Sequence, residues 1–270
     1  MSSWVALAVA IVGVAVLERW WPARPESAIR VRRIAANVGC YAVNRVLAGV
    51  LAPVIGALVG QAWTASVGAG AGLLGALPVG PLHWLAAFLA HDLVRYITHR
   101  LMHSRWLWRF HALHHSDAEP DWSTAVRHHP LETIVSMPIY AVAFGVLGID
   151  PATAAVLATI NGCWDLFVHA NVTLPRPVQR ALGAVAVTPA LHAVHHSASR
   201  EEADSNYGGI LMVWDRLLGT ARAAEPAPRR YGLEHRVASA DANVAAMLLL
   251  PFRSAASPEP SAAHPLHSRT

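Results

Sequence analysis

The sequence predicts an all-α integral membrane protein with four to five transmembrane helices and its histidines gathered at one side of the membrane. Hydrophobic residues make up 54% of the 270-residue chain, whereas charged residues make up only 14%. The apolar residues fall into several long runs, and most of the sixteen histidines cluster at or beyond the ends of these runs. A soluble domain needs a more highly charged surface, so the composition indicates that lipid is part of the solvent.

Five segments are candidate membrane helices; a crossing takes about 17 residues, and the first segment is short. They are 3–17, 34–60, a helix from Pro81 through the 90s, 133–149 and 152–169. Basic residues follow the first segment and do not precede it, which favours a membrane helix over a signal peptide. Asp150 and Pro151 predict a turn between the last two segments. The glycine-rich stretch 66–80 is expected to be loose or re-entrant.

Arginine supplies the entire positive charge of the chain and orients the predicted helices. Five arginines lie within residues 19–33, so the positive-inside rule places this segment in the cytoplasm. The connection 61–81 has no charged residue and is expected on the opposite side. With this topology every histidine cluster lies on the cytoplasmic side.

The net charge of +4 does not indicate a nucleic-acid-binding protein, because the arginines separate apolar runs and form no basic face with interleaved aromatic residues. The two cysteines, Cys40 and Cys163, both lie in apolar stretches. A disulfide framework and a cysteine-based zinc site are therefore not expected.

Three histidine clusters indicate metal chemistry: HDLVRYITHRLMH with His91, His99 and His103, HALHH with His111, His114 and His115, and HAVHH with His192, His195 and His196. Residues three or four apart share a helix face, so His99 and His103 can reach one metal ion. Two H-x-x-H-H motifs from distant parts of the chain can enclose two metal ions. Imidazole binds iron, zinc, copper and nickel, so the ligand type leaves the metal open.

The simpler interpretation of a single histidine is an ordinary polar group near a membrane interface, and a histidine-rich run can be a loose chelating tract. However, the motif H-x-x-H-H occurs twice in identical form, and an H-x-x-x-H precedes the first copy. Random placement of sixteen histidines would rarely produce this pattern. The sequence therefore favours a multinuclear metal site.

Over about residues 88 to 221 the sequence resembles the fatty acid hydroxylase superfamily of membrane enzymes, which includes sterol desaturases and alkylglycerol monooxygenase. The resemblance is carried by DLVRYITHRLMH, LWRFHALHHS, TAVRHHPLE, TPALHAVHHS and NYGGILMVWDRLLGT. It implies a membrane core capped by a cytosolic di-iron site. The ligands implied are His99, His103, His111, His114, His115, His192, His195 and His196, with His129 and His169 at positions that often complete the set. Ile97 and Leu218 differ from the residues that the family usually has at these positions. Neither is a ligand position, so these differences bear on the shape of the substrate pocket.

Several other polar residues have weaker roles in this prediction. His91 is expected to be packed or to contact a ligand, and His128 to be a neighbour of the site. The carboxylates of Asp92, Asp165 and Asp215 are candidates for orienting histidine N–H groups. Asp165 is the best of the three, because it precedes His169 by four residues. Helix capping or arginine pairing is an equal alternative for Asp215.

The predicted function is O₂-dependent hydroxylation or desaturation of a lipid, such as a fatty acyl chain, sterol or isoprenoid. The resemblance implies two iron ions per chain, which zinc can replace in overexpressed protein. The substrate is expected to enter an apolar cleft from the bilayer. No nicotinamide or flavin motif is visible, so a separate electron donor, such as a ferredoxin, cytochrome or reductase, is expected.

The chain is predicted to divide into three regions. Residues 1–80 form the N-terminal membrane helices, residues 81–252 the catalytic core, and residues 253–270 a disordered tail.

Two other classes of function are kept as alternatives. A non-oxidative zinc-dependent membrane enzyme would normally need a carboxylate base near the metal, and neither H-x-x-H-H motif contains one. A membrane protein that binds or transports metal ions would place ionisable residues in the middle of its membrane helices. The histidines instead cluster at helix ends and in loops, which favours the oxidoreductase.

Overall fold

The structure is a computed structural model that describes residues 2–26, 28–67, 72–74, 77–225, 230–234 and 243–252. Its α-helices are α1 Ser3–Trp20, α2 Arg30–Val67, α3 Pro81–Met102, α4 Trp108–His115, α5 Pro130–Leu147, α6 Pro151–Val168, α7 Arg176–Gly183, α8 Pro189–His195, α9 Arg200–Ala203, α10 Val213–Leu217 and α11 Val244–Leu248. Two 3₁₀ helices cover Trp122–Val126 and Leu250–Phe252. Among the described residues, β-pairing is confined to isolated bridges.

Five long helices run between two ends of the molecule. The histidine end is where α3 finishes with His99 and His103, where His129 caps the start of α5, and where His169 caps the end of α6. Helices α1 and α2 also reach this end, because Arg33 in the first turn of α2 bonds to Asp117. Successive long helices therefore alternate in direction between the two ends.

At the opposite end, the backbone folds tightly between α5 and α6. Gly148 ends α5 with a φ of 72°, a left-handed conformation that glycine adopts without steric cost. The Asp150 side chain then accepts hydrogen bonds from the backbone N–H groups of Ala152 and Thr153 and caps α6. The predicted turn at Asp150 and Pro151 is confirmed.

The predicted glycine-rich stretch 66–80 lies partly outside the described residues. Where it is described, the Leu74 backbone N–H donates to Leu147 at the end of α5, over 2.9 Å. The predicted tail 253–270 lies outside the described residues. The apolar stretch 243–252 forms α11 and the last 3₁₀ helix, whose Met247 and Leu250 pack against Trp108 and Leu113 of α4.

Four described helices are long and apolar enough to cross a membrane: Ser3–Trp20, Arg30–Leu58, Pro130–Leu147 and Pro151–Val168. Large apolar side chains face outward on them, including Val12 at 64% and Val46 at 71% exposure, as expected for surfaces in contact with lipid. Helix α3 runs between the same two ends but carries Asp92 and Arg95 and is not one of the four. The all-α membrane fold is thus confirmed.

Buried ion pairs join the helices at the histidine end. Arg33 donates to Asp117 over 2.8 Å and also to Asp121, while Arg30 pairs with Glu18 at the end of α1. Both aspartates belong to the loop between α4 and the first 3₁₀ helix, so this network holds α1 and α2 against the segment that carries HALHH.

Candidate metal centre

Nine of the ten histidines predicted as ligands come together in two groups at the histidine end. The first histidine group consists of His99, His103, His111, His115 and His195, and the second of His114, His169, His192 and His196. In each group, one ring nitrogen from every member lies within 4.8 Å of the others. All nine side chains except the half-buried His99 are buried.

Each H-x-x-H-H motif contributes to both groups. In α4, His111 and His115 share the first group, whereas His114 turns to the second. In α8 and its cap, His192 and His196 share the second group, whereas His195 turns to the first. Residues four apart differ by only about 40° around a helix, while the two members of a doublet diverge by about 100°. The doublets therefore point to different metal positions, which spacing alone did not resolve.

Backbone carbonyls orient three of the grouped rings through Nδ1. The acceptors are Tyr207 O for His99 (2.9 Å), Ser205 O for His195 (2.7 Å) and Asp165 O for His169 (2.7 Å). A carbonyl can only accept, so each of these rings carries its proton on Nδ1. Nε2 is then the nitrogen with a free lone pair for a metal.

Two carboxylates orient further histidines of the groups, and neither was predicted from the sequence. Asp204 lies 3.0 Å from Nδ1 of His103, and Glu132 lies 3.0 Å from Nδ1 of His111. Glu132 also bonds to His128, four residues earlier. Glu132 could have been predicted from the sequence, because it is part of the TAVRHHPLE motif. Asp204 could not, because it has no regular spacing from a histidine motif.

The nitrogen geometry fits bound metal ions. The Nε2 atoms of His103 and His115 are 3.1 Å apart, and Nε2 of His169 lies 3.1 Å from that of His114 and 3.0 Å from that of His192. With metal–nitrogen bonds of about 2.1 Å, ligands at 90–109° lie about 3.0–3.4 Å apart. The buried Nε2 atoms of His99, His111 and His195 have no hydrogen-bond partner. Nitrogens left in this way are costly unless a cation binds them.

Seven of these rings are held in the protonation state that metals require. Burial lowers the pKa of His169 and of His195 to about 3. Burial, followed by repulsion between neighbouring rings, holds the pKa well below the usual range at His103, His114, His115, His192 and His196. Neutral imidazole is the metal-binding form.

The structure places the remaining candidate histidines outside the two groups. His129 caps α5: its Nδ1 accepts from Leu131 N, and its Nε2 donates to Leu248 O, both over 3.0 Å. His128 stacks on His114 with ring centroids 4.5 Å apart and is a neighbour, as expected. His91 accepts a hydrogen bond from Asn161 and is packed within the helices.

The three predicted carboxylates bind groups other than histidine rings. Asp165 pairs with Arg95 over 2.5 Å, and only its backbone carbonyl contacts His169. Asp92 accepts from the backbone N–H groups of residues 210 and 211, and Asp215 from those of Tyr207 and Gly208. Asp92 and Asp215 thus shape the loop that carries the Tyr207 carbonyl to His99.

Gly208 is required where this loop passes Asp215. A Cβ atom at Gly208 would lie 2.9 Å from the Asp215 carboxylate and 2.6 Å from the Leu211 carbonyl, closer than real Cβ atoms approach. Because its carboxylate accepts the backbone N–H groups of Tyr207 and Gly208, Asp215 serves neither as a helix cap nor as an arginine partner among the described residues. Arg216 beside it donates instead to the carbonyls of Gly183 and Ala184.

A cavity of about 270 Å³ opens onto both histidine groups between α2, α3, α5 and α6. Its lining includes Arg45, Arg95 and Tyr140 as well as Met102 and Val168. An apolar cleft was predicted from the sequence, but the part of the cavity next to the histidines is mixed in polarity. The ionisable residues of α2, α3 and α6 account for this difference.

Residues 84–220 match the sequence profile described as fatty acid hydroxylase, which is half of the chain and contains all nine grouped histidines. The chain belongs to the fatty acid hydroxylase family. The resemblance seen in the motifs is thereby confirmed, and the two histidine groups lie in the part that defines the family.

Other members of the fatty acid hydroxylase family share this region. The alkylglycerol monooxygenase of Homo sapiens is 34% identical over 159 residues, covering 58% of this chain and 34% of that protein. The ornithine lipid hydroxylase OlsE of Rhizobium tropici is 34% identical over 126 residues, 46% of this chain and 37% of that protein. Cholesterol 25-hydroxylase of Homo sapiens is 25% identical over 150 residues, 53% of this chain and 52% of that protein.

The alignments thus cover only about a third of the length of the first two relatives. No solved structure matches the chain.

Proposed function

We propose that the protein is an O₂-dependent lipid hydroxylase that binds two iron ions, one in each histidine group. The observation that supports this most directly is the pair of buried histidine groups at the end of a cavity between membrane helices. Neutral nitrogen ligands suit iron, and the cavity connects the site to the membrane-embedded part of the fold.

Iron, when bound, supplies the redox chemistry needed to use O₂ against an unactivated C–H bond. The hydroxylation balances as R–H + O₂ + 2 e⁻ + 2 H⁺ → R–OH + H₂O. The grouped rings would hold the ions, and the fold buries eight of these nine histidines. The cavity brings the substrate next to the histidines. The two electrons come from a separate donor.

The names of the relatives support hydroxylation over desaturation, since they describe a monooxygenase and hydroxylases that act on lipids. A zinc-dependent hydrolase is less well supported. The carboxylates of Glu132 and Asp204 do approach the site, but each bonds to Nδ1 of a ligand histidine. Neither is thereby placed as a base on a metal-bound water.

We also propose that the histidine end faces the cytoplasm. The arginine-rich segment between α1 and α2 lies at this end, where Arg30 and Arg33 join the buried ion-pair network. The exposed Trp20 and Trp21 at the end of α1 are the residue type that anchors a helix at a membrane interface.

Metal analysis of the purified protein tests the site. Protein extracted in mild detergent from iron-supplemented cells is expected to contain about two iron ions per chain. Replacing His114, His115, His195 and His196 by alanine is expected to remove them. The control is His83→Ala, in the first turn of α3 at the opposite end. Folded wild-type protein without metal, or equal metal in the fourfold variant, would contradict the proposal.

Oxygen labelling tests the reaction. Membranes containing the iron-loaded protein, ¹⁸O₂ and a chemical reductant are expected to yield lipids that carry one ¹⁸O atom, detected by mass spectrometry. The fourfold histidine variant is the control. Unlabelled lipid in both samples would rule out the hydroxylase even if iron is bound.

A further inference from the structure

Trp108 separates the first histidine group from the surface of the histidine end. Its ring centroid lies 5.0 Å from that of His103 and 5.1 Å from that of His115. The guanidinium carbon of Arg200 lies 4.6 Å from the centre of the same indole. Trp108 is 7% exposed, and the Arg200 side chain is 27% exposed. A single aromatic side chain therefore connects a solvent-accessible arginine with two metal-binding rings.

Arg200 is held in this position by the ligand shell itself. Its Nε donates to Asp204 over 2.7 Å, and its Nη2 donates to the His103 carbonyl over 2.7 Å. Asp204 in turn contacts Nδ1 of His103. The same residues thus orient a ligand and cover Trp108, which makes the contact well ordered.

The surface around Trp108 is basic. Arg100, Arg105 and Arg109 are exposed, and residues 101–116 contain no carboxylate. Of the three carboxylates that follow α8 within residues 196–204, Asp204 pairs with Arg200, Glu201 pairs with Arg222, and Glu202 accepts a hydrogen bond from Ser197 Oγ. The local field therefore favours an acidic partner.

An exposed tryptophan stands within this basic surface. Trp106 is 71% exposed, and the Arg105 guanidinium lies 4.3 Å from the centre of its ring. Tryptophan and arginine are the residues that most often dominate binding energy at protein interfaces. We call the surface formed by Arg100, Arg105, Trp106, Arg109 and Arg200 the Trp106 face.

Resting on the function proposed above, we infer that the Trp106 face docks an acidic one-electron carrier protein and that Trp108 is the contact through which its electrons reach the first histidine group. Each docking event oxidises one carrier by one electron and reduces one ferric ion to ferrous. Two events supply the two electrons of the hydroxylation, and the two protons come from solvent. The basic charge of the Trp106 face favours an acidic carrier. The short distances from the Trp108 ring to His103, His115 and Arg200 favour Trp108 as the point where electrons enter.

The test uses an acidic plant-type [2Fe–2S] ferredoxin as the carrier. Its oxidation by the iron-loaded protein is followed by stopped-flow absorbance at several salt concentrations. Binding of oxidised ferredoxin to zinc-loaded protein is titrated separately, so that docking is measured without turnover. The variants are Arg105→Glu with Arg109→Glu, and Trp108→Leu. The matched control is Arg176→Glu with Arg180→Glu on α7, two exposed arginines at the same spacing.

The double reversal at residues 105 and 109 is expected to weaken ferredoxin binding and slow its oxidation at least tenfold, and high salt should have the same effect on the wild type. Trp108→Leu should retain binding and iron but slow oxidation at least tenfold. Dithionite should reduce every variant at the wild-type rate. The α7 control should behave as wild type.

Wild-type kinetics in the 105/109 variant, or equal losses in the α7 control, would overturn the docking surface. A wild-type protein that dithionite reduces but ferredoxin does not would overturn the acidic carrier. Wild-type electron transfer in Trp108→Leu would overturn the entry point. Absence of iron in the wild type would instead mean that the proposed function has failed.

Discussion

At the scale of single residues, the site depends on what each histidine binds through its second nitrogen. A ring with a fixed acceptor at Nδ1 has one tautomer and one orientation, so Nε2 is preorganised for the metal. In the first group these acceptors are the carboxylates of Glu132 and Asp204 and the carbonyls of Ser205 and Tyr207. Four of its five histidines are therefore positioned by residues outside the two histidine groups.

Glu132→Gln is expected to weaken metal binding about 10- to 100-fold, because the His111 ring loses the carboxylate that orients it and raises its basicity. Metal retention against a graded series of chelator concentrations measures this effect. Glu201→Gln, which changes an exposed glutamate paired only with Arg222, is the matched control. Identical retention in the two variants would show that the contact between Glu132 and His111 does not support the ligand.

His129→Ala is expected to keep the full metal content and to lower stability by about 1 kcal/mol, because this residue serves as a helix cap. Both of its ring nitrogens are occupied by backbone groups of Leu131 and Leu248. Elemental analysis and the thermal unfolding midpoint are measured on the same preparation. Loss of one iron ion in this variant would return His129 to the ligand set that the sequence implied.

At the scale of helices, the candidate metal centre is assembled from helix ends that belong to different parts of the chain. Helix α3 supplies two of the grouped histidines, α4 three, and α8 with its cap three, while α6 supplies the residue at its C-terminal cap. Such an assembly holds together only if the helices are fixed relative to each other. The buried ion pairs of Arg33 with Asp117 and Asp121 do this for α2 and the segment after α4.

Arg33→Met is expected to destabilise the protein by about 3–5 kcal/mol, because it removes the buried arginine that pairs with both Asp117 and Asp121, and only Asp121 also pairs with Arg30. Arg32→Met is the control, since Arg32 is exposed and lies on the preceding position of the same helix. The two unfolding transitions are compared in the same detergent. Equal midpoints would show that the buried network contributes little to holding α2 in place.

At the scale of the whole molecule, the helices alternate in direction, and the nine grouped histidines all lie at one end. Most of the outward surface of the long helices is apolar, whereas the polar contacts concentrate at the histidine end and around the cavity. The apolar outward surface of the long helices is therefore suited to lipid, and the polar histidine end is suited to water. The orientation in the membrane is therefore a property of the complete fold.

Two single-cysteine variants test the orientation, in a background with Cys40 and Cys163 replaced by alanine. Ser199→Cys, at an exposed position of the histidine end, is expected to react with a membrane-impermeant thiol reagent only in inside-out vesicles. Val79→Cys, where the native residue is 84% exposed near the opposite end, is expected to react only in right-side-out vesicles. The reverse pattern would place the histidines outside the cytoplasm.

Much of this organisation was predictable because it depends on local patterns. The long apolar runs predicted the membrane helices, and Asp150 with Pro151 predicted the turn between α5 and α6. The boundaries shifted where capping and polar contacts extend the helices, as at Arg30, which begins α2 four residues before the predicted start. The polar lining of the cavity was not predicted, since helical periodicity does not show which side of a helix faces a cavity.

The sequence by itself determined the family and the helical membrane fold and predicted ten histidine ligands, because motif spacing and apolar run length are properties of neighbouring residues. Only the tertiary structure decided how the nine histidines divide into two groups and what holds each ring. Those partners are far apart in the chain, as with His103 and Asp204, which are separated by 101 positions. Contacts of that kind form when helices pack, and no local pattern records them.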